Sequence, residues 1–200
     1  MLYSFFYFVF GIIFRLIYRQ QIYGRELLPK QGPLIICSNH INWRDPISVG
    51  IAMPLRYKIK FMAKKELFSN PALAFLLKRA AFPVDRDKAD FGAIRQAFKV
   101  LEEGGVLGLF PEGTRSKTGR LQKLQEGTAL IAGRSGAPVL PVLVVGPYRW
   151  GHPLRVIIGP VFHIPAMDYK KRGERKAQLE AGNRIILENL RALDPAAGSE

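Results

Sequence analysis

Short apolar runs alternate with helical stretches along most of this 200-residue chain, and the alternation limits the fold more than any other feature. The runs LIICS, VLGLF and APVLPVLVVG are apolar on both faces, as expected of strands covered on both sides. Between them, stretches such as DFGAIRQAFKVLEEGG predict amphipathic helices, and the glycine pair ends that one. The pattern predicts a single α/β domain with a mixed, largely parallel sheet flanked by helices.

Other segments complete this prediction. The runs YKIKFMAK, AFPVDR and LRVIIGP are expected to be strands. DPISVGIAM is expected to be a helix that starts near Asp45 and Pro46, and KELFSNPALAFLLKRA one or two short helices broken near Asn70. LQKLQEGTALIAGRSG and residues 171–193 are also predicted to be helical, and residues 194–200 to form a flexible tail.

The first segment, LYSFFYFVFGIIFRLIY, is apolar on every side and rich in Phe and Tyr. A helix over residues 2–18 would be ~26 Å long at ~1.5 Å per residue, slightly short of a ~30 Å hydrocarbon core. Its aromatic content is typical of a bilayer interface, so residues 1–19 are interpreted as a membrane-anchor helix that either spans the bilayer or lies flat. A buried core helix is the alternative. Basic residues lie toward the C-terminal end of the segment and beyond it and predict a domain on the cytoplasmic face of the membrane: Arg15, Arg19, Arg25 and Lys30.

The charge balance is strongly basic. Lys and Arg number 30 against 16 Asp and Glu, which gives a net charge of +14 and predicts a polyanionic partner. No helix-turn-helix, zinc-finger or RRM signature accompanies the charge, so an anionic membrane surface is predicted and nucleic acid is not. A non-enzymatic basic binding protein is the competing interpretation. The single cysteine, Cys37, excludes an intrachain disulfide and suits a reducing compartment.

A histidine and an aspartate follow the run LIICS within the segment NHINWRD. If His40 lies on a turn and Asp45 at a helix start, the carboxylate can accept from one imidazole nitrogen while the other faces a cleft. That arrangement fixes the tautomer that a general base needs. A plain helix cap is the alternative role for Asp45.

The second polar segment is FPEGTRS, directly after VLGLF. Pro111 and Gly113 predict a tight turn whose backbone amides can line an anion site, and the planar fork of Arg115 matches a phosphate group. Glu112 is expected to accept hydrogen bonds from an acceptor hydroxyl or from Arg115. Ligands of open α/β sheets bind beyond the carboxyl ends of the strands, so both segments line one cleft if their strands are neighbours.

Together, these segments resemble a known family. NHINWRD matches the N-H-x-x-x-x-D motif and FPEGTRS the F-P-E-G-T-R-S motif of the glycerolipid acyltransferases, while FPVDR and APVLPVLVVG are similar to two further motifs. The four occur in the expected order between about residues 20 and 165. Within this superfamily the chain looks like a bacterial-type 1-acyl-sn-glycerol-3-phosphate acyltransferase, with residues 20–193 as the acyltransferase domain.

The resemblance implies an activity and roles for residues. His40 would deprotonate the acceptor hydroxyl for direct attack on an acyl thioester, oriented by Asp45. The donor would be acyl-CoA or acyl carrier protein, the acceptor lysophosphatidic acid and the product phosphatidic acid, with no cofactor or metal. Another lysolipid or glycerol 3-phosphate is the alternative acceptor. The glycerol phosphate would be held by Glu112, Gly113, Thr114 and Arg115, with Arg86 and Lys64 as further contacts.

The remaining candidates are expected to be structural. His152 and His163 have no matched acidic partner in a motif. Ser38 is not expected to be a nucleophile because no G-x-S-x-G elbow is present. No cluster of His, Cys and carboxylates has the spacing of a metal site.

Overall fold

A computed structural model describes residues 2–87, 90–116, 118–166 and 173–194. The helices are α1 Leu2–Ile17, α2 Asp45–Ala52, α3 Pro71–Leu77, α4 Phe91–Glu102, α5 Glu126–Ser135 and α6 Arg175–Arg191. The strands are β1 Gln21–Tyr23, β2 Leu34–Ser38, β3 Lys60–Lys64, β4 Ala81–Val84, β5 Val106–Leu109, β6 Val139–Val145 and β7 Arg155–Ile158.

The seven strands form one sheet in the order β1-β7-β6-β2-β5-β3-β4. Neighbouring strands are parallel except for β6 and β7, which are antiparallel. The predicted α/β domain with a mixed, largely parallel sheet is confirmed. Because β2 and β5 are parallel neighbours, the two polar segments that follow them emerge at the same edge of the sheet.

Helices cover both faces of the sheet. The steps from β2 to β3 to β4 run in one direction across the sheet, so right-handed connections place α2 and α3 on one face. The return through β5 to β6 places α4 and α5 on the other, where α6 packs on α5. The core is divided accordingly, since Ile35 and Cys37 belong to the α4–α6 side and Leu34 and Ile36 to the α1–α2 side.

Helix α1 packs on α2 and presents two different faces. Phe14 is buried in the core, and the Tyr7 hydroxyl donates to the backbone carbonyl of Met53 at 2.9 Å. The outward stripe is exposed and apolar: Phe5, Phe8, Ile12 and Leu16. The face of α1 that contains Phe14 is therefore part of the core, as the core-helix alternative expected. The prediction of a membrane anchor concerns the exposed face. Among the helices that the structure describes, none combines the length and apolarity needed to cross a bilayer.

Several element boundaries differ from the sequence predictions. Helix α5 begins at Glu126 rather than at Leu121, because the Gln122 and Gln125 amides are bonded to the FPEGTRS segment instead of to a helical turn. The short edge strand β1 was not predicted. Helix α6 starts at Arg175, and residues 171–172 of the predicted helix lie outside the described residues, as do residues 195–200 of the predicted tail.

Candidate active site

The two polar segments are joined through the backbone of His40. The His40 amide donates to Glu112 Oε1 at 2.9 Å, across 72 positions of sequence. The His40 carbonyl accepts from the Ser116 amide at 2.7 Å. Both backbone polar groups of the histidine are thus bonded to the loop that follows β5. The predicted meeting of the two segments is found, and the backbone of His40 joins them through the Glu112 side chain and the Ser116 amide.

The side chains of His40 and Asp45 are also in contact. His40 Nδ1 lies 2.8 Å from Asp45 Oδ2, and this oxygen accepts from the amides of Ile41 at 2.6 Å and Asn42 at 2.7 Å. Asp45 is the first residue of α2, yet its carboxylate points back toward the turn, and no side chain caps the helix start. The helix-cap alternative does not describe this geometry. A carboxylate only accepts, so Nδ1 carries the hydrogen and Nε2 keeps the lone pair of a base.

An aromatic stack holds the plane of the imidazole. The rings of His40 and Phe110 have centroids 4.3 Å apart, and Phe110 stacks in turn on Phe61 at 5.8 Å. The Phe61 ring occupies the space above Gly108, where a Cβ atom would lie 2.3 Å from Phe61 Cδ1. The orientation of His40 therefore depends on a glycine in the middle of β5.

Two positioning residues were not identified from the sequence. The Tyr148 hydroxyl donates to Asp45 Oδ1 at 2.7 Å, so both carboxylate oxygens have donors. Burial, and then the negative charge of Asp45, raise the pKa of Tyr148, which keeps this hydroxyl protonated. Asn39 bonds both backbone groups of Val144, donating at 2.9 Å and accepting at 2.7 Å. Their positions in the sequence could have identified them, because Asn39 follows β2 and Tyr148 follows β6, and these two strands end at the same edge of the sheet.

Glu112 is buried, contrary to the expectation that it would face the acceptor hydroxyl or Arg115. Its Oε1 accepts from the His40 amide and its Oε2 from the Gln122 amide at 3.0 Å. Burial raises the pKa of Glu112, while these two backbone hydrogen bonds oppose the shift. Its carboxylate therefore holds three chain segments together inside the protein.

The turn itself is built on Gly113. Gly113 has φ of 69°, and a Cβ atom there would lie 2.8 Å from Gln125 Cγ, so glycine suits the position on both counts. Its amide donates to the Phe110 carbonyl at 3.0 Å, which closes the predicted tight turn. Thr114 and Arg115 follow it and are exposed.

Three predicted cationic contacts lie at the carboxyl ends of neighbouring strands. Lys64 ends β3 and is level with Val84 at the end of β4, two residues before Arg86, while Arg115 belongs to the loop after β5. Arg86 Nη1 donates to the Gly113 carbonyl at 2.7 Å. Loss of hydration, and then the positive charge of Arg115, lower the pKa of Arg86. The two guanidinium groups are thus close enough for their positive charges to repel.

A cavity of about 1070 Å³ opens beside the Phe110–Gly113 turn, between α4 and α5. Its apolar lining includes Met62, Ile94 and Leu109, and Arg86 contributes positive charge. Neither His40 nor Asp45 is among its lining residues. The imidazole therefore does not line this cavity, although Phe110 borders both.

The remaining histidines are exposed and outside this constellation, since His152 precedes β7 and His163 follows it. Ser38 is buried and donates to the Asn39 carbonyl at 3.2 Å. Within the described residues, no group of three or more His, Cys, Asp or Glu side chains is arranged to hold a metal ion.

The chain is similar in sequence to several known proteins. The family described as Acyltransferase matches residues 19–145 of the chain. A 1-acyl-sn-glycerol-3-phosphate acyltransferase of Bacillus subtilis is 36% identical over 182 residues, which cover 87% of this chain and 89% of that protein. One of Streptococcus pneumoniae is 32% identical over 128 residues, covering 62% of this chain and 47% of that protein.

A solved structure is similar in fold. The crystal structure of the 1-acyl-sn-glycerophosphate (LPA) acyltransferase PlsC from Thermotoga maritima superposes with a TM-score of 0.65 at 23% identity, covering 93% of this chain and 79% of that one. The family match spans more than half of the chain and includes His40, Asp45 and the FPEGTRS loop. The chain therefore belongs to the acyltransferase family that contains the 1-acyl-sn-glycerol-3-phosphate acyltransferases.

Proposed function

We propose that this protein transfers a fatty acyl group from an acyl thioester to the free hydroxyl of 1-acyl-sn-glycerol 3-phosphate, giving phosphatidic acid. The observation that carries the proposal is the His40–Asp45 pair, bonded through the His40 backbone to a loop that bears exposed Arg115. A base and a cationic anion site are the two features that this acceptor requires. The activity named for the Bacillus subtilis relative, a 1-acyl-sn-glycerol-3-phosphate acyltransferase, supports the same acceptor.

His40 acts as the general base in this proposal. Nε2 takes the proton of the acceptor hydroxyl as the oxygen attacks the thioester carbonyl carbon, and the resulting imidazolium is stabilised by the Asp45 carboxylate. The carbon–sulfur bond then breaks, and the departing thiolate receives the proton back from Nε2. Acyl-CoA and acyl carrier protein both supply such a thioester, so the mechanism accommodates either donor.

The acceptor phosphate is assigned to the cations at the strand ends. Arg115 presents the planar fork that suits phosphate, with Thr114 beside it, and Lys64 and Arg86 add positive charge from the neighbouring strands. Arg86 also fixes the Gly113 carbonyl. Glu112 is reassigned from substrate contact to positioning, because both of its oxygens are bonded to backbone amides.

Membrane docking is assigned to the outward face of α1. The exposed stripe of Phe5, Phe8, Ile12 and Leu16 runs along one side of the helix, while the other side packs on the domain. An apolar stripe of this kind suits a helix that lies in the bilayer interface. Residues 1–19 then serve as the anchor and residues 20–193 as the acyl-transfer domain, acting at the cytoplasmic face on lysophosphatidic acid held in an anionic leaflet.

The general-base role is tested by His40→Ala. A positioned base contributes ~10²–10⁴-fold to turnover, so the variant should lose roughly that factor in kcat while keeping the circular dichroism spectrum of the wild type. Purified protein in detergent is assayed with acyl-CoA and with acyl carrier protein as donors and 1-acyl-glycerol 3-phosphate as acceptor. A folded variant with near wild-type kcat would exclude this mechanism.

Phosphate recognition is tested by Arg115→Ala on paired acceptors. Charge-assisted hydrogen bonds are worth ~1.5–3 kcal/mol each, so KM for lysophosphatidate should rise by about tenfold or more. Monoacylglycerol, which lacks the phosphate, should be a poor substrate of the wild type and lose little further. Arg115→Lys should recover only part of the loss because a point charge cannot replace the fork. Equal losses on both acceptors would mean that Arg115 does not read the phosphate.

A further inference from the structure

The short helix α3 leaves most of its apolar side chains in solvent. Phe75 is 58% exposed, and Leu73 and Leu76 are 38% and 43% exposed, while Ala74 is the buried residue of the helix. Leu67, in the turn before α3, is 44% exposed. These four side chains, Leu67, Leu73, Phe75 and Leu76, form what we call the α3 patch. Large apolar side chains that are exposed together on one short helix are typical of an interaction surface.

Positive charge surrounds the α3 patch. Lys64 and Lys65 precede it, Lys78 and Arg79 follow it, and all four side chains are exposed. The Arg79 guanidinium lies over the Phe75 ring at 4.9 Å from its centroid. Lys64 is paired with Glu66 at 3.7 Å and Lys65 with Asp85 at 2.7 Å, so Lys78 and Arg79 carry the net positive charge of this border. An apolar centre with a basic border is complementary to a bilayer whose head groups carry negative charge.

The position of α3 in the fold points to the same partner. Right-handed connections place α3 on the sheet face that carries α2, and Phe68, just before α3, packs in the same core cluster as Phe14 of α1 and Val49 of α2. Helices α1, α2 and α3 therefore form one layer. Within this layer, α1 with its exposed stripe lies at one end and α3 with its patch lies at the other. Helix α2, with the half-buried Ile47 and Ile51, lies between them.

We propose that the α3 patch is a second membrane contact, which docks on an anionic phospholipid bilayer together with α1. The inference rests on the proposed docking of α1 and extends it from a single anchor to a contact across the whole layer. Helix α2 begins at Asp45, so the layer that carries both contacts also carries the residue that binds His40. An acidic protein such as a carrier protein is the competing occupant, and the continuity of the layer with α1 favours the bilayer.

A fluorescent label tests this contact directly. Cys37 is fully buried, so a cysteine introduced by Phe75→Cys is labelled selectively with the environment-sensitive dye NBD. Phe8→Cys on α1 is the positive reference, and Gln96→Cys, exposed on α4 in the opposite layer, is the matched control. On mixing with phosphatidylglycerol–phosphatidylcholine vesicles, labels at 75 and 8 should shift to the blue and brighten, and the label at 96 should not.

The outcomes separate this inference from the activity. A label at 75 that is unchanged by vesicles, or that responds only to an acidic carrier protein, overturns the α3 contact while leaving acyl transfer unaffected. Equal responses at 75 and 96 also overturn it, because they indicate adsorption without orientation. If the wild type transfers no acyl group, the proposed function fails, and a blue shift at 75 would still establish the contact.

A double substitution links the contact to substrate access. Leu73→Gln/Leu76→Gln should lower partitioning to these vesicles by roughly threefold to tenfold, because less apolar surface is removed from water. Activity on lysophosphatidate embedded in vesicles should fall with the partitioning, and activity on a short-chain, monomeric acceptor should stay at the wild-type level. Unchanged partitioning in a folded double variant would contradict the proposal.

Discussion

Among the described side chains of the site, that of Asp45 accepts the largest number of hydrogen bonds. The carboxylate accepts hydrogen bonds from His40, from two backbone amides of the turn and from Tyr148. A hydrogen bond to an ionised group is worth ~1.5–3 kcal/mol, about twice a neutral one. The imidazole orientation is therefore maintained by a network, in which the tyrosine is the most distant member along the chain.

Tyr148→Phe tests that network. The variant removes the only donor to Asp45 Oδ1 that the described residues provide, so the carboxylate loses ~1.5–3 kcal/mol of stabilisation. We expect a lower free energy of unfolding and a lower kcat, with KM for the acceptor little changed, because Asp45 does not touch the substrate in the proposed mechanism. Urea denaturation and steady-state kinetics measure the two effects.

The control for this experiment is Tyr18→Phe. The Tyr18 ring packs on Tyr148 at 5.5 Å between centroids, and its hydroxyl is not among the donors to Asp45 found in the described residues. Its removal should leave kcat near the wild-type value. If both variants lost kcat equally, aromatic packing rather than the hydrogen bond would explain the role of Tyr148.

The His40–Asp45 contact was accessible from the sequence because a turn and a helix start are local features. Tyr148 was not, since it lies 103 positions from Asp45 and reaches it only after β6 pairs with β2. The burial of Glu112 was not accessible from the sequence for a related reason. A carboxylate in a loop looks solvent-facing in sequence, and only tertiary structure shows the amides of His40 and Gln122 around it.

At the scale of elements, β5 controls the aromatic stack. Gly108→Ala would place a methyl group against Phe61 Cδ1 at 2.3 Å, so the Phe61 ring must move, and Phe110 and His40 with it. Overpacking of this kind costs ~1–3 kcal/mol. We expect a lower Tm and a lower kcat, measured by thermal denaturation and by the acyl-transfer assay.

Gly127→Ala in α5 is the matched control, because a Cβ atom there meets nothing within 4 Å. It should keep kcat and raise stability by ~0.4–1 kcal/mol through the lower entropy of the unfolded chain. A Gly108→Ala protein with wild-type kcat would show that the stack does not orient the histidine.

The long apolar strands β2 and β6 were predictable because strands buried on both faces read as continuous apolar runs. Strand β1 was not, since its three residues include the exposed Gln21 and Tyr23 and are held by pairing with β7. The late start of α5 has a similar cause. Tertiary hydrogen bonds of Gln122 and Gln125 override the local helical preference of LQKLQ.

At the scale of the whole molecule, the net charge of +14 should govern membrane affinity. Each basic residue near an anionic surface contributes up to ~1 kcal/mol, and salt screens this attraction over a Debye length of ~10 Å at 0.1 M. Co-sedimentation with phosphatidylglycerol-containing vesicles should therefore fall steeply between about 0.05 M and 0.5 M salt. Binding to pure phosphatidylcholine, which is the control, should be weaker and nearly independent of salt. Affinity for anionic vesicles that did not change with salt would exclude this electrostatic contribution.

The fold class could be predicted from alternation alone, because a strand buried on both faces needs helices on each side. The strand order could not. Nothing local specifies that β5 inserts between β2 and β3, although this insertion brings NHINWRD beside FPEGTRS. The antiparallel direction of β7 and its pairing with the edge strand β1 also depend on tertiary structure and could not be predicted from local sequence.

The double attachment of the His40 backbone to the second loop has a consequence for acceptor choice. The His40 amide is bonded to Glu112 and its carbonyl to Ser116, so the distance between the imidazole and the loop that bears the proposed phosphate site is fixed by hydrogen bonds. The number of bonds between the phosphate and the free hydroxyl of an acceptor then determines whether that hydroxyl reaches Nε2. A lysolipid whose free hydroxyl lies one carbon farther from its phosphate would bind at the cations yet place its oxygen out of reach of Nε2.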